Sequence, residues 1–396
     1  MVAKIDGATD GPQILRAARL KNIAVYTAMS LYTMLGTAAG EELRIIIPEP
    51  DTNAYVKAMK NYVSYIEENS DLEPKLFGKA LMLAPDVPAG VRDGIANLGF
   101  VVPAYVPAEF SEMNLAANLS MLATSGEPTE SPLAAMSGAM MEYVLFNCPE
   151  CLDQFKAQNQ IFLSSASTPT YSLLCRDPLS TLEDMKGKRF RSGAANFGRW
   201  AESVGGVAVS MPSSEMYDAL SQGVVDCVML DTGGLLGQRM MDVTKTVIRN
   251  IPGGVFAGIA TNNVNQDYWR QLSNEQRATL INGSAGLVAD VAMFQDTGVK
   301  ESEEAAVKAG VTINEPIQEL VDATNAFVEG DLNVISEQFA KQYGVENTDE
   351  KVAKVKELIS KWKKLTDGHG SDYEALRAIY QKEIFDKLDP ATYGMN

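Results

Sequence analysis

The sequence predicts an α/β protein of two lobes with a ligand cleft between them, and three observations carry that expectation. Residues 182–231 hold two short strand-like pieces, 189–192 and 207–209, an amphipathic segment over 216–220 and a third apolar run over 224–230. Strand, helix and strand with short connections read as a βαβ unit, and such units place ligands at the carboxyl ends of their strands. The chain has 396 residues, 46% of them hydrophobic, which is enough for two packed cores. Residues 253–260 read as a strand interrupted by glycines, suited to return the chain to the first lobe and to bend as a hinge.

Charge and composition narrow the function. The net charge of -17 and the sequence pI of about 4.6 argue against nucleic acid or an anionic membrane as partner. There is one histidine, His369, so histidine metal sites and Ser-His-Asp or Cys-His catalysis have almost no material. No glycine fingerprint for a nucleotide is present, and no cofactor is expected. At the start of the chain Arg16, Arg19 and Lys21 precede an apolar run, 22–35, and a small-residue stretch, 36–40. That order is a secretory signal with cleavage after Ala39, and the run is too short and too polar for a membrane span. The expected product is a soluble, exported, periplasmic monomer.

Taken in order, residues 42–48 (ELRIIIP) form a buried strand ended by proline. A polar turn leads to a helix with Tyr55, Met59, Tyr62, Val63 and Ile66 on one face. Asn53, in that turn, either contacts a ligand at the strand's carboxyl end or caps the helix. Strands follow at 74–77 and 98–102, and the second delivers Tyr105 to the cleft as a stacking surface or a core aromatic. The Ser-, Thr- and Pro-rich loop 164–170 marks the crossing to the second lobe, and Tyr171 at its end is a candidate contact. Lobe I is thus assigned residues 40–170 and 256–297, and lobe II residues 171–255 and 298–396 with the C-terminal helices.

In the second lobe, Arg191 ends a strand beside Ser-Gly-Ala-Ala, and its planar fork of donors suits a small carboxylate. Asn196 and Phe197 are placed on the same side of the pocket, Arg199 is a candidate second anion anchor, and Trp200 reads as helix core. Residues 245–251 read as a strand, and Ser273 caps a helical region that continues to Leu388. In an oxidising compartment the four cysteines suggest disulfides. Cys175 and Cys227 lie in apolar runs that neighbouring strands would bring together, and Cys148 and Cys151 would then close a local loop. Free buried thiols are the alternative, since a redox role for Cys148-Pro-Glu-Cys151 lacks a thioredoxin-like context.

The passages GVRDGIANLGFVVPAYVPAEF (90–110), LEDMKGKRFRSG (182–193), the glycine pair Gly205 and Gly206, MPSSEMYDALSQGVVDC (211–227) and the segment around Trp269 and Leu272 resemble, in that order, the extracytoplasmic solute-binding subunits of tripartite ATP-independent periplasmic (TRAP) transporters. The resemblance implies a two-lobed binding protein with strands running between the lobes and a long bracing helix. It implies that Arg191 clamps a substrate carboxylate as the lobes close, that there is no catalysis, and that the solute passes to a membrane permease. Where many relatives carry an asparagine that contacts ligand, this chain has Leu230 and Asp231. Asp231 is therefore expected either to accept from a hydroxyl or amino group of the solute or to cap the segment beginning Thr232-Gly233-Gly234. The expected ligand is a small organic acid, with hydroxy and amino acids among the candidates. A binding protein for a sensor or another transporter would have the same two lobes. A periplasmic enzyme on a doubly wound fold would need a nucleophile-base pair or a cofactor loop that the sequence does not show.

Overall fold

Strand formation follows the apolar runs of the chain, and the strands assort into two six-stranded sheets. In the computed structural model residues 41–396 are described; the expected signal segment and its cleavage site after Ala39 lie outside them. The first sheet begins with β1 (Glu42–Ile46), β2 (Glu73–Phe77), β3 (Leu98–Val101), β4 (Gln160–Ile161) and β5 (Ser165–Ala166). The chain then builds most of the second sheet from β6 (Ser172–Cys175), β7 (Arg189–Ser192), β8 (Val207–Ser210), β9 (Cys227–Leu230) and β10 (Thr246–Ile248). It returns to the first sheet as β11 (Ile259–Asn265) and contributes β12 (Thr312–Asn314) to the second.

The first sheet has the order β2-β1-β3-β11-β4, with β5 also on β11, and the second the order β12-β10-β6-β9-β7-β8. Within 182–231 the expected βαβ unit is present: β7 pairs in parallel with β8 on one side and β9 on the other. The Asp184 of the LEDMKG passage completes a capping box with Thr181, so that motif starts a helical turn and does not face a ligand. The Asp226 carboxylate accepts from the Arg189 backbone N–H and guanidinium at 2.8–3.0 Å, which ties β9 to β7 in register.

Both sheets are covered by helices. Helix Ala54–Asn69 buries Tyr55, Val56, Met59, Tyr62 and Ile66, the stripe that helical spacing predicts. The bracing element is the helix Asn274–Lys308, opened by a capping box between Ser273 and Gln276. At 1.5 Å per residue it is roughly 50 Å long, and it links β11 of one sheet to β12 of the other. Its first half accepts the Tyr62 hydroxyl at the Leu280 carbonyl, 2.9 Å, and near its far end Ser302 donates to the Gly233 carbonyl, 3.0 Å. One rigid rod therefore touches elements of both sheets.

The structure differs from expectation at 253–260. The strand starts only at Ile259 and runs on to Asn265, while Val255 makes a single bridge to Thr170. Gly253, Gly254 and Gly258 have φ values of +72°, +68° and +77°, a left-handed backbone that cannot continue a ladder. The disulfides are Cys175–Cys227 and Cys148–Cys151. Cys175 and Cys227 are register partners of β6 and β9, so the strand pairing itself presents the two sulfurs to each other.

Candidate functional site

The carboxyl ends of β1, β3, β7 and β9 converge on a cavity of about 330 Å³, closed on one side by the long helix. Its walls are largely aromatic and aliphatic, with Phe100, Tyr171, Leu230, Phe256 and Phe294 among them. A few polar groups point into this apolar space, the usual constitution of a small-molecule site.

Arg191 is the buried cation of the cavity, only 2% exposed, whereas Lys57, also in the lining, is exposed. Its Nε and Nη2 donate to the Met211 carbonyl at 3.1 and 2.8 Å, an arrangement that holds the guanidinium plane in place. Gly193 lies against it: a Cβ there would stand 3.0 Å from Nη2 and 3.2 Å from Nη1. Among the described residues no carboxylate forms an ion pair with Arg191. The Tyr171 hydroxyl is beside the guanidinium, and burial pushes its pKa upward, so it stays a neutral donor. Tyr171 is held by stacking on Phe197, centroids 4.7 Å apart, and on Phe256, 6.2 Å.

Two desolvated carboxylates also line the cavity, together with the exposed Glu301. Glu49 follows β1 and accepts from Gln238 at 2.8 Å, Ser213 at 3.2 Å and Asn53 at 3.3 Å. Its desolvation pushes the pKa up against those bonds and against the attraction of Arg191. Asp231, at the end of β9, is 5% exposed, and burial raises its pKa to about 6. The backbone N–H groups of Gly233 and Gly234 turn toward it and oppose that rise. Both of the roles weighed for Asp231 are thus compatible with its position: it faces the cavity and it sits at the head of the short helix Gly234–Gly237.

The two sides of the cavity are in contact. Glu49 and Tyr105 belong to the part of the chain that builds the first sheet, Ser213 and Gln238 to the part that builds the second. The Ser213 N–H donates to the Tyr105 hydroxyl at 3.0 Å, and Thr52 donates to the Gly237 carbonyl at 3.0 Å. With the Glu49 bonds these contacts join the two parts of the chain across the cavity.

Of the residues singled out in the sequence, Arg191, Asp231, Tyr105, Tyr171 and Asn53 line this cavity. Asn53 is largely committed, since its carbonyl oxygen accepts from the Tyr55 N–H at 2.8 Å and caps the helix. Three others are placed elsewhere. Phe197 lies behind Tyr171 as its stacking support. Asn196 is buried and donates to Ser120 at 3.2 Å. Arg199 makes a bidentate ion pair with Asp331 at 2.6 and 2.8 Å and also donates to Gln338 and Asn118. The physical reason for the last is that Asp331, 5% exposed, needs a cation, and Arg199 supplies it. Arg199→Ala is accordingly expected to cost about 3 kcal/mol of stability by stranding Asp331, and to leave ligand affinity unchanged. Urea unfolding and calorimetric titration of the same variant separate the two.

Sequence reasoning missed Glu49, Tyr55 and Gln295. Glu49 stands between two prolines just past a buried strand, the position from which β1 delivers side chains to its carboxyl end, and that signal was available. Gln295 sits 8% exposed in mid-helix, and nothing local distinguishes it from its neighbours.

Comparison with known proteins agrees with this architecture. A curated solute-binding protein of Albidiferax ferrireducens is 21% identical over 297 residues, covering 74% of this chain and 82% of that protein. A TRAP solute-binding protein of Rhodoferax ferrireducens, solved with copurified benzoate, superposes with a TM-score of 0.69 at 18% identity, covering 82% of this chain and 99% of that one. An extracytoplasmic solute receptor of Bordetella pertussis that binds pyroglutamic acid gives a TM-score of 0.64 at 18% identity, over 81% and 99% of the two chains. At such identities the superpositions speak for the fold. The family itself rests on a model that matches residues 137–366: this chain belongs to the bacterial extracellular solute-binding proteins of family 7, the DctP family, whose members are binding proteins and not enzymes.

Proposed function

We propose that this protein is the extracytoplasmic receptor of a TRAP transporter, capturing a small organic acid between its lobes and delivering it to a membrane permease. One observation carries the reading: a guanidinium, that of Arg191, is buried in the wall of a largely apolar cavity with its plane fixed by Met211 and, among the described residues, with no carboxylate paired to it. A buried cation of this kind calls for an anion of the ligand. The relatives solved with benzoate and pyroglutamic acid hold small carboxylic acids, which supports the same class here.

Capture is proposed to occur by closure of lobe I, residues 40–170 and 256–297, on lobe II, residues 171–255 and 298–396. In support, the three connections between the sheets fall between β5 and β6, β10 and β11, and β11 and β12. The protein is proposed to act as a periplasmic monomer after removal of residues 1–39. The test is a thermal-shift and calorimetric screen of the mature chain against small carboxylic acids, neutral sugars and simple amines. Carboxylic acids are expected to raise Tm by mass action. Binding confined to sugars or amines, or turnover of a bound acid, would overturn the reading.

A further inference from the structure

Lys57 and Glu301 are exposed members of the lining; among the desolvated charges, Arg191, Glu49 and Asp231, there is one more than a plain acid would satisfy. Arg191 and the solute's carboxylate neutralise each other. Glu49 is accounted for by its three neutral donors, Gln238, Ser213 and Asn53. Asp231 is held by backbone N–H groups alone, its own and those of Gly233 and Gly234; among the described residues no side chain donates to it, and no lysine, arginine or histidine pairs with it. The nearby cation Arg249 is taken by Glu303 and Glu315. A buried carboxylate without a counter-charge is costly.

A second observation points to the same place. The Tyr55 hydroxyl, from the helix opposite, is buried beside Asp231 and Gln295 with no hydrogen bond of good geometry. A hydroxyl without a well-aligned partner and a carboxylate without a counter-charge thus lie within electrostatic reach of each other in the cavity wall. A hydroxyl group of a solute would donate to Asp231 but leave its charge in place. An ammonium would donate and neutralise it, and the Tyr55 oxygen would accept another of its protons.

We infer that the solute is an amino acid, its carboxylate on Arg191 and its ammonium on Asp231 and Tyr55. This rests on the carboxylate reading of Arg191 and narrows it. The sign of the pH dependence follows. Asp231 is protonated below about pH 6 in the free protein, and a proton there competes with the ammonium. Affinity for an amino acid is therefore lost as pH falls through that value, by about tenfold one unit below it. The other charged and titratable groups of the lining are the Tyr55 and Tyr171 hydroxyls, which burial keeps neutral, Tyr105, the acids Glu49 and Glu301, and the cations Arg191 and Lys57.

The test is calorimetric titration of the mature chain with matched series in which one skeleton carries an amino group, a hydroxyl or neither: leucine, 2-hydroxy-4-methylpentanoate and 4-methylpentanoate; the phenyl set phenylalanine, phenyllactate and 3-phenylpropionate; and 4-aminobutyrate, 4-hydroxybutyrate and butyrate. The amino member of the best-fitting series is expected to bind tightest, by about 10- to 100-fold over the unsubstituted acid. Asp231→Asn, which keeps the shape, is expected to erase that advantage and the pH dependence. If the hydroxy or unsubstituted acids bind as well as the amino acids, the inference fails and the carboxylate reading stands. If no acid of any series binds, both fail. Should Asp231→Asn not fold, the wild-type ranking and its pH profile decide alone.

Discussion

Arg191→Ala is expected to abolish measurable binding of every acid that the wild-type protein takes up. The solute's carboxylate loses its one buried cation in a largely apolar space, and such a loss costs about 3–5 kcal/mol. At 1.4 kcal/mol per decade this is roughly 10²- to 10³-fold in Kd or more. Calorimetric titration reads it directly, and circular dichroism shows whether the variant is folded. Arg191→Lys tests the geometry separately from the charge. A lysine places a point charge on a flexible stem and cannot hold the Met211 carbonyl with two donors at once, so affinity is expected to stay well below wild type. Full affinity in Arg191→Ala would remove Arg191 from the site.

The largest expected loss of stability comes from a residue remote from the cavity. Trp362, on the helix Thr348–Thr366, is fully buried against Gly138 of the helix Pro132–Glu142. Its indole N–H donates to Glu142 at 2.6 Å, and its ring lies 5.7 Å from that of Tyr380. Trp362→Ala removes this packing and leaves a cavity, at about 3–5 kcal/mol. Gly138→Ala attacks the same contact from the other side, because a Cβ there would fall 2.1 Å from the indole ring. Overpacking of that kind costs about 1–3 kcal/mol. The two are expected to be non-additive: in the double variant the new methyl occupies space that the indole has vacated, and the loss is smaller than the sum. Urea denaturation of the four proteins forms the cycle, and strict additivity would show that the two side chains do not meet.

Much of the fold is legible in local sequence because its elements report themselves at short range. The run ELRIIIP becomes β1, the stripe from Tyr55 to Ile66 becomes a buried helix face, and Ser273 with Gln276 opens the 35-residue helix as a capping pair. Cys175 and Cys227 stand in runs that pair as neighbouring strands. Where the reading failed locally, at 253–260, the cause was also local: alternating apolar residues suggest a strand, but three glycines in left-handed conformation break it.

The cavity is different, because its lining is drawn from segments far apart in the chain. Arg191 could be chosen from the sequence because a strand end beside small residues is a position with a meaning of its own. Arg199 carried the same charge eight residues later and was assigned the same kind of role, yet a single buried acid, Asp331, claims it. Nothing at position 199 announces that partner, which arrives from 132 residues downstream. The same holds for Glu49, whose partners Ser213 and Gln238 come from the other half of the molecule.

What the sequence by itself determined is therefore the set of elements and their α/β alternation, with Arg191 placed at a strand end, since periodicity, caps and strand ends are written within a few residues of one another. Tertiary structure alone decided which charges are satisfied. Arg199 is neutralised by Asp331 and Glu49 is held by three neutral donors, whereas Arg191 and Asp231 are left facing a common cavity. Desolvation and pairing depend on what packs against a side chain from elsewhere in the chain, and the ligand proposed for this protein is read from those two charges.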